Sequence, residues 1–379
     1  MAWLGKHRRR TVGLVAVAGA VLALTTCGRG GAGGVGNSAD REAEYRRVIE
    51  DPHPRPGAVV EAAGAPSGVV VAGDGSLLLT YDAGNVEDGE GPAASAWRIV
   101  GPGGRTVAEH AEHVDAEAVP AAFRGVGGGF VRVPPGEGTG GAYVLDVRGE
   151  RRKAVSTGTP LRTRPGDVLL AELEPTLLYR PATRTVAPPF GVPDDAIRLA
   201  VDERGTVWSL EQPLTEDPDR IVWQRDGRTL GSRAVPKQYA GGVLAARGGS
   251  AALSLTRAGG VRGLLVTTDG GAHWRTVFGG GIAFGGLKGG PEALVLHLLS
   301  DGRLLVGEEG GRYWLADDRT NRAFQELKTP VRFTSFTVDG TTLYGIADAT
   351  TATYGLVKGE GLWVSHDGGR EWRRYEQRG

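Results

Sequence analysis

Cysteine is almost absent from this chain: there is one in 379 residues, so no disulfide can close within it. Surplus charge is absent as well. The 44 Lys and Arg are matched by 44 Asp and Glu, for a formal net charge of zero. Without a basic surplus the chain lacks the means to neutralise a run of phosphates, which excludes nucleic acid as an expected partner. The same balance argues against electrostatic docking of the folded part on a membrane. Several enzyme signatures are missing too. There is no Gly-x-Ser-x-Gly, no Walker loop and no Cys/His set with metal-ligand spacing. Neither a metal nor a cofactor is expected. Glycine is plentiful, at 63 residues, but has no three-residue period. That excludes a collagen-like chain and points to tight turns.

Two stretches supply the turn chemistry in full. Thr267-Thr268-Asp269-Gly270-Gly271-Ala272-His273-Trp274 and Ser365-His366-Asp367-Gly368-Gly369-Arg370-Glu371-Trp372 both read Ser/Thr-x-Asp-x-Gly-x-x-Trp. Each follows a short apolar run and precedes another, as in a β-hairpin. The carboxylate of Asp269 or Asp367 is suited to accept bonds from turn amides, and Gly271 or Gly369 to supply a positive φ. Trp274 and Trp372 open the return strands and offer large rings to a neighbouring sheet.

The two tryptophans lie two repeats apart on a period of about 40–50 residues. A degenerate copy stands midway, at Tyr313 to Phe324, with Phe324 in the Trp position. Further strand–turn–strand units occur upstream at Trp97–Val100, Tyr143–Val147, Leu177–Arg180 and Ile221–Arg225, giving seven hairpins. Asp-Gly between apolar runs marks inner hairpins at Asp74-Gly75, Asp301-Gly302 and Asp339-Gly340, and Arg204-Gly205 marks another. The third unit, residues 162–190, shows one clear inner strand (Val168 to Leu170), so six and eight are the alternative counts. A pair of β-sandwiches accounts for short strands but not for the period.

The paired motif resembles the Asp-box of sialidase-like propellers. The resemblance implies an all-β fold, a β-propeller of seven blades with four antiparallel strands each. It also implies that Thr267, Asp269, Gly271, Trp274, Ser365, Asp367, Gly369 and Trp372 are structural, between the third and fourth strands of a blade. The predicted order is a signal peptide over 1–26, a lipid-anchored flexible linker over 27–56 and the propeller over 57–379. Lys6, Arg8, Arg9 and Arg10 precede an uncharged apolar run, Thr11 to Thr26, too short for a membrane span of about 20 residues. Leu24-Thr25-Thr26-Cys27-Gly28 resembles a bacterial lipobox, although Thr26 departs from the usual Gly, Ala or Ser. Cys27 is the expected lipid attachment site, on an exported chain at the outer face of the cytoplasmic membrane or secreted. Asp40 to Glu50 reads as a charged linker helix.

The resemblance also implies that substrates and partners meet the strand 2–3 loops around the central channel. Candidates there are Asp82 to Ser95 (Asp82, Glu87, Asp88, Glu90), Glu211 to Asp219 (Glu216, Asp217, Asp219) and Asp348 to Gly361 (Tyr354, Lys358). Glu109-His110-Ala111-Glu112-His113-Val114-Asp115 has His at i and i+3, but lacks the His-Glu-x-x-His order, and reads as a charged inter-blade loop. Sialidase chemistry requires an arginine triad, a Tyr nucleophile activated by Glu, and an Asp acid/base. The family's Arg-Ile-Pro signature is missing, and Arg132-Val133-Pro134 is the nearest approach. The expected function is therefore an extracytoplasmic binding or docking module, monomeric, for a protein or cell-envelope glycan. The alternative is a glycoside hydrolase of the sialidase superfamily. An arginine cluster converging on the channel would favour the hydrolase, and a small, apolar lining the docking module.

Overall fold

The computed structural model describes residues 38–84, 92–114, 122–133, 141–171, 176–193, 196–213, 217–287, 293–308, 310–347 and 361–376. Two helices, α1 (Ser38–Glu50) and α2 (Pro56–Ala63), precede seven four-stranded sheets. Blade 1 is β1 (Gly68–Val71), β2 (Leu77–Gly84), β3 (Ala93–Val100) and β4 (Thr106–Val114). Blade 2 is β5 (Ala122–Val126), β6 (Gly129–Val133), β7 (Tyr143–Asp146) and β8 (Arg151–Lys153). Blade 3 is β9 (Val155–Ser156), β10 (Val168–Ala171), β11 (Leu177–Arg180) and β12 (Thr185–Ala187). Blade 4 is β13 (Ala196–Val201), β14 (Thr206–Glu211), β15 (Arg220–Arg225) and β16 (Arg228–Ala234). Blade 5 is β17 (Ala240–Arg247), β18 (Ser250–Arg257), β19 (Gly260–Thr267) and β20 (Arg275–Val277). Blade 6 is β21 (Leu294–Leu298), β22 (Leu304–Glu308), β23 (Tyr313–Ala316) and β24 (Phe324–Glu326). Blade 7 is β25 (Phe333–Asp339), β26 (Thr342–Ala347), β27 (Leu362–Ser365) and β28 (Arg373–Arg374). The result is a seven-bladed β-propeller.

The turns form where the sequence places its Asp and Gly. Asp202 Oδ1 accepts the amides of Arg204 and Thr206, both at 2.9 Å, and Gly205 takes φ 76°. Asp146 does the same for Arg148 and Glu150, with Gly149 at φ 83°. A carboxylate saturated by turn amides and a glycine in the left-handed region together make the tight turn the low-energy path.

Stabilisation lies between blades rather than within them. Leu78 and Ile99 of blade 1 pack with Phe130 and Leu145 of blade 2. Trp208 and Ile221 of blade 4 pack with Leu253 and Leu265 of blade 5. Second strands are therefore buried on both faces: every residue of β14 is buried, and β18 is exposed only at Arg257. An interior strand of this kind reads as a continuous run rather than an alternating one.

Blade 3 departs from the regular pattern. Its sheet order is β10-β11-β12-β9, so Leu177–Arg180 is the second strand, where the repeat predicts a third. The outer position is filled from upstream by β9, which runs parallel to β12. The chain after β12 continues into Pro188 and Pro189, which have no amide to add to a ladder. A Cβ on Gly205, in the turn after β13, would lie 2.7 Å from the Arg164 carbonyl carbon. Thus β10 enters the channel wall from the face at which β13 leaves it. A buried ion pair fixes this entry, with Arg180 Nη2 2.7 Å from Asp167 Oδ2.

Among the described residues no strand is exchanged to close the ring. The Val59-Val60 run is helical, and blade 7 takes all four of its strands from its own segment. Thr337 Oγ1 donates to the Val69 carbonyl at 2.9 Å across the blade 1–blade 7 seam. On its blade 7 side, blade 1 presents Ala83, Ala94 and Ala96, and these small residues leave a wedge that α2 fills with fully buried Val59. Residues 38–50, where composition predicts linker, form α1. Its Tyr45, Val48 and Ile49 pack on the same core, and the Gly84 amide donates to Tyr45 Oη at 2.6 Å. The apolar spacing i, i+3, i+4 places these three on one side of the helix.

Candidate functional site

The first strand of each blade walls the central channel. Two cavities, of about 310 and 960 Å³, share Arg124, His297 and Val338. Both fall in the size range of ligand-binding clefts. The walls are mostly aliphatic: Val69 to Val71, Val168 to Leu170, Leu199 to Val201 and Val243 to Ala246. Alternate residues of these strands face the channel because the side-chain period is two.

Polar groups interrupt the wall at a few places, and most are already engaged. Arg247 Nε lies 2.8 Å from Glu203 Oε1, and its Nη1 donates to the Leu298 carbonyl at 3.4 Å. Asp202 caps its own turn, and Asp167 is held by Arg180. Arg124 is exposed to the channel, with a 3.3 Å bond from Nη1 to the Phe123 carbonyl. His297 faces the cavity from a half-buried position, packed by the surrounding first strands. Burial lowers its pKa to about 4, against the opposing effect of its bond to the Phe336 backbone. It is a neutral imidazole at pH 7. Three arginines (Arg124, Arg198 and Arg247) thus reach the lining from separate blades, set among aliphatic strand residues in a cavity whose exposed surface is polar and apolar in nearly equal parts. Among the described lining residues there is no tyrosine.

The paired motifs sit at the β19–β20 and β27–β28 turns. Thr267 Oγ1 donates to Asp269 Oδ1 at 2.9 Å and accepts the Gly271 amide at 3.1 Å. Asp269 Oδ1 accepts the His273 amide at 3.0 Å, and Oδ2 meets His273 Nδ1 at 2.7 Å. Those bonds, led by the His273 amide, hold the Asp269 carboxyl at about 2. Ser365 and Asp367 repeat the arrangement: Ser365 Oγ donates at 2.7 Å, accepts from Gly369 at 2.7 Å, and the Arg370 and Glu371 amides reach Asp367 at 3.0 Å. Asp367 is likewise lowered, chiefly by the Glu371 amide. Trp274 packs on Trp208 and Trp223 of blade 4, at ring-centre distances of 6.0 and 5.7 Å. Trp372 meets Phe333 at 4.9 Å and Phe336 at 5.8 Å. None of these eight residues lines the channel cavities.

Several rim residues are strand residues rather than loop residues. Asp82 lies in β2 and accepts the hydroxyls of Ser67 and Ser95, at 2.5 and 2.8 Å. Glu211 ends β14, buried, 2.6 Å from Arg220 Nε, and Asp219 accepts the Gly241 amide at 2.8 Å. Glu87, Asp88, Glu90, Glu216, Tyr354 and Lys358 lie outside the described residues, as do Cys27 and the whole of 1–37.

Residues 109–114, read as an inter-blade loop, belong to β4, the outer strand of blade 1. Strand alternation sends His110 and Glu112 to one face and Glu109 and His113 to the other, which separates the two histidines. Glu109 pairs with Arg98 at 2.9 Å, and Glu112 with Arg132. Among the described residues no three His, Cys, Asp or Glu gather as a metal set, and no helix is long and apolar enough to cross a membrane.

No protein-family model and no curated protein matches the sequence. Solved structures do match. The β-propeller domain of the Trilobed protease from Pyrococcus furiosus, described as having an open velcro topology, is 11% identical over 82% of this chain and 95% of its own, with a TM-score of 0.53. A puromycin-hydrolyzing peptidase of Mycobacterium tuberculosis is 15% identical over 86% of this chain, with a TM-score of 0.48, and the match spans 55% of that protein's length. BamB from Moraxella catarrhalis is 12% identical over 73% of this chain and 81% of its own, with a TM-score of 0.39. At these identities the likeness is one of fold, and it rests on the first of the three.

Proposed function

We propose that the protein is a cell-envelope β-propeller that binds a partner at the channel mouth and does not catalyse a reaction. The observation that carries this reading is the channel wall itself. It is built from aliphatic first strands. In the larger cavity the carboxylates Asp167, Asp202 and Glu203 are each committed to a structural bond, and the smaller adds one further carboxylate, Asp339. Glycoside hydrolysis needs two free carboxylates or an activated nucleophile around one bond, and the described lining offers Asp339 without a second free carboxylate or a tyrosine beside it. A protein partner suits the site because its aliphatic strand residues reward apolar contact area while Arg124 and Arg198 offer polar contacts beside them. The two Ser/Thr-x-Asp turns support membership of the Asp-box propellers, where such turns are structural. Cys27 is the proposed lipid attachment point, placing the propeller outside the cytoplasmic membrane as a monomer on a tether.

The test is a crosslinked pull-down from native envelopes with the full chain and Cys27 intact, against an Arg124→Glu variant of unchanged melting temperature. Stoichiometric capture of one protein, lost in the variant, is the expected result. Turnover of a fluorogenic sialoside, or capture unaltered by Arg124→Glu, would sink the docking reading. Cys27→Ser should move the protein from the membrane to the soluble fraction.

A further inference from the structure

Arg275 opens β20, directly after the Asp269 turn, and pairs with Val266 of β19. Strand alternation puts its side chain on the same face as Val277. Val277 is buried in the cluster that joins blade 5 to Trp314, Ala316 and Phe324 of blade 6. Arg275 therefore points into the groove between these two blades. On the other wall, Arg322 lies two residues before Phe324, in the β23–β24 turn. The chain leaving β20 is pressed against that turn: the Phe324 amide donates to the Gly280 carbonyl at 2.6 Å, and a Cβ on Gly280 would lie 2.3 Å from the Arg322 carbonyl oxygen. Two guanidinium groups from adjacent blades thus share one groove.

Neither has a hydrogen-bond or ion-pair partner among the described residues, and Arg275 Nη2 is wholly buried with nothing to donate to. A buried unpartnered donor is costly, more so when charged. The neighbouring carboxylate, Asp318, gives one oxygen to its own turn, where Oδ1 accepts the Thr320 amide at 2.7 Å and the Thr320 hydroxyl at 2.5 Å, and it makes no ion pair with either arginine. Burial, and then the like charge of Arg322, lower the proton affinity of Arg275, and Asp318 only opposes this. Of the two charges that act on Arg275, the repulsion by Arg322 outweighs the attraction by Asp318.

We infer that this groove between blades 5 and 6 is an oxyanion-binding site, with Arg275 and Arg322 donating to a phosphate-type ligand. A planar guanidinium presents paired donors at the spacing of two oxygens of such a group, and two of them suit a tetrahedral anion better than a lone carboxylate. The ligand is either free phosphate or the phosphodiester of a glycerol-based headgroup or polymer. The site is separate from the channel, so its test does not depend on the docking reading.

Thermal melts of the full chain, titrated at constant ionic strength with inorganic phosphate and separately with glycerophosphoglycerol, decide the matter. Phosphate at about 100 times its Kd should raise Tm by several degrees. Arg322→Gln, which is exposed and leaves the fold intact, should lose that shift. Arg275→Met should lose it as well, while melting no lower than the parent in phosphate-free buffer, since the unpartnered group is gone. A shift with both probes identifies the diester as ligand, and a shift with phosphate alone the free ion. No shift at tens of millimolar (roughly the ceiling for a specific site), or the same shift in Arg322→Gln, overturns the assignment.

Discussion

At the scale of single residues, the motif positions divide by what each atom does. Gly270 and Gly271 both take positive φ, 75° and 90°. A Cβ at Gly270 meets nothing within 4 Å, whereas one at Gly271 would lie 2.4 Å from Trp223 Cε2. The second glycine is thus required twice, by conformation and by the ring of the next blade. Sequence alone shows only the first requirement. Asp269→Ala and Asp367→Ala should each cost about 1–2 kcal/mol in urea unfolding, because the turn amides lose their acceptor. Acid should act in two steps. His297 is held at about 4 against an ordinary 6.5, so the unfolded chain takes up a proton that the folded one refuses. Stability from this group is complete above pH 6.5 and falls as pH drops toward 4, by on the order of 3 kcal/mol. Asp269, held at about 2 rather than 3.8, gives stability that is present above pH 3.8 and lost as pH falls through 2. Unfolding followed from pH 7 to pH 2 should show both steps, with the first missing in His297→Gln.

At the scale of elements, the hairpins were legible because each needs a specific residue at one backbone position. Arg204-Gly205, Asp301-Gly302 and Asp339-Gly340 fall where the structure turns. Blade 3 was not legible, because strand order within a sheet leaves no local mark. Val155-Ser156 is a two-residue outer strand, far upstream of the partner it meets. Helix α1 was legible as a helix but not as part of the core, for a related reason: three apolar residues among many charges resemble a linker until the surface they cover is known. The same holds for Arg275 and Arg322, whose meeting depends on how one blade sits against the next. What pins blade 3 is the Arg180–Asp167 pair, whose side chains are 11% and 2% exposed. Removing one partner of such a pair strands the other charge in the core. Arg180→Met should therefore cost about 3–5 kcal/mol. Arg46→Ala, which breaks the solvated Arg46–Glu42 pair, should cost no more than about 0.5 kcal/mol. Comparable losses from the two would show that the blade 3 entry is not held by its ion pair.

At the scale of the whole molecule, ring closure is the weak step. Each blade leans on two neighbours, so stability is close to a sum of interfaces, and the ring is as strong as its poorest one. Six interfaces join blades consecutive in sequence, and the seventh joins the first blade to the last. A shared strand would bind that seam with a ladder of backbone bonds. Here α2 takes its place: packed on β2, β3 and β4, it adds Val59 to the buried cluster that also holds Tyr344 and Ile346 of blade 7. Outside the wedge, β28 contributes only Arg373–Arg374 to the outer edge of blade 7. Val59 is thus the residue whose loss should open the ring selectively. Val59→Asp puts a charge where no partner waits, and the cheapest relief is to release the helix rather than to unfold seven sheets. Native-state hydrogen exchange should then show faster exchange at β1, β2, β26 and β27, the strands lining the seam, while β14 and β18 keep the protection of the parent. Acceleration spread evenly over all seven blades would mean that the ring opens as one unit and that the helices carry no special share of its closure.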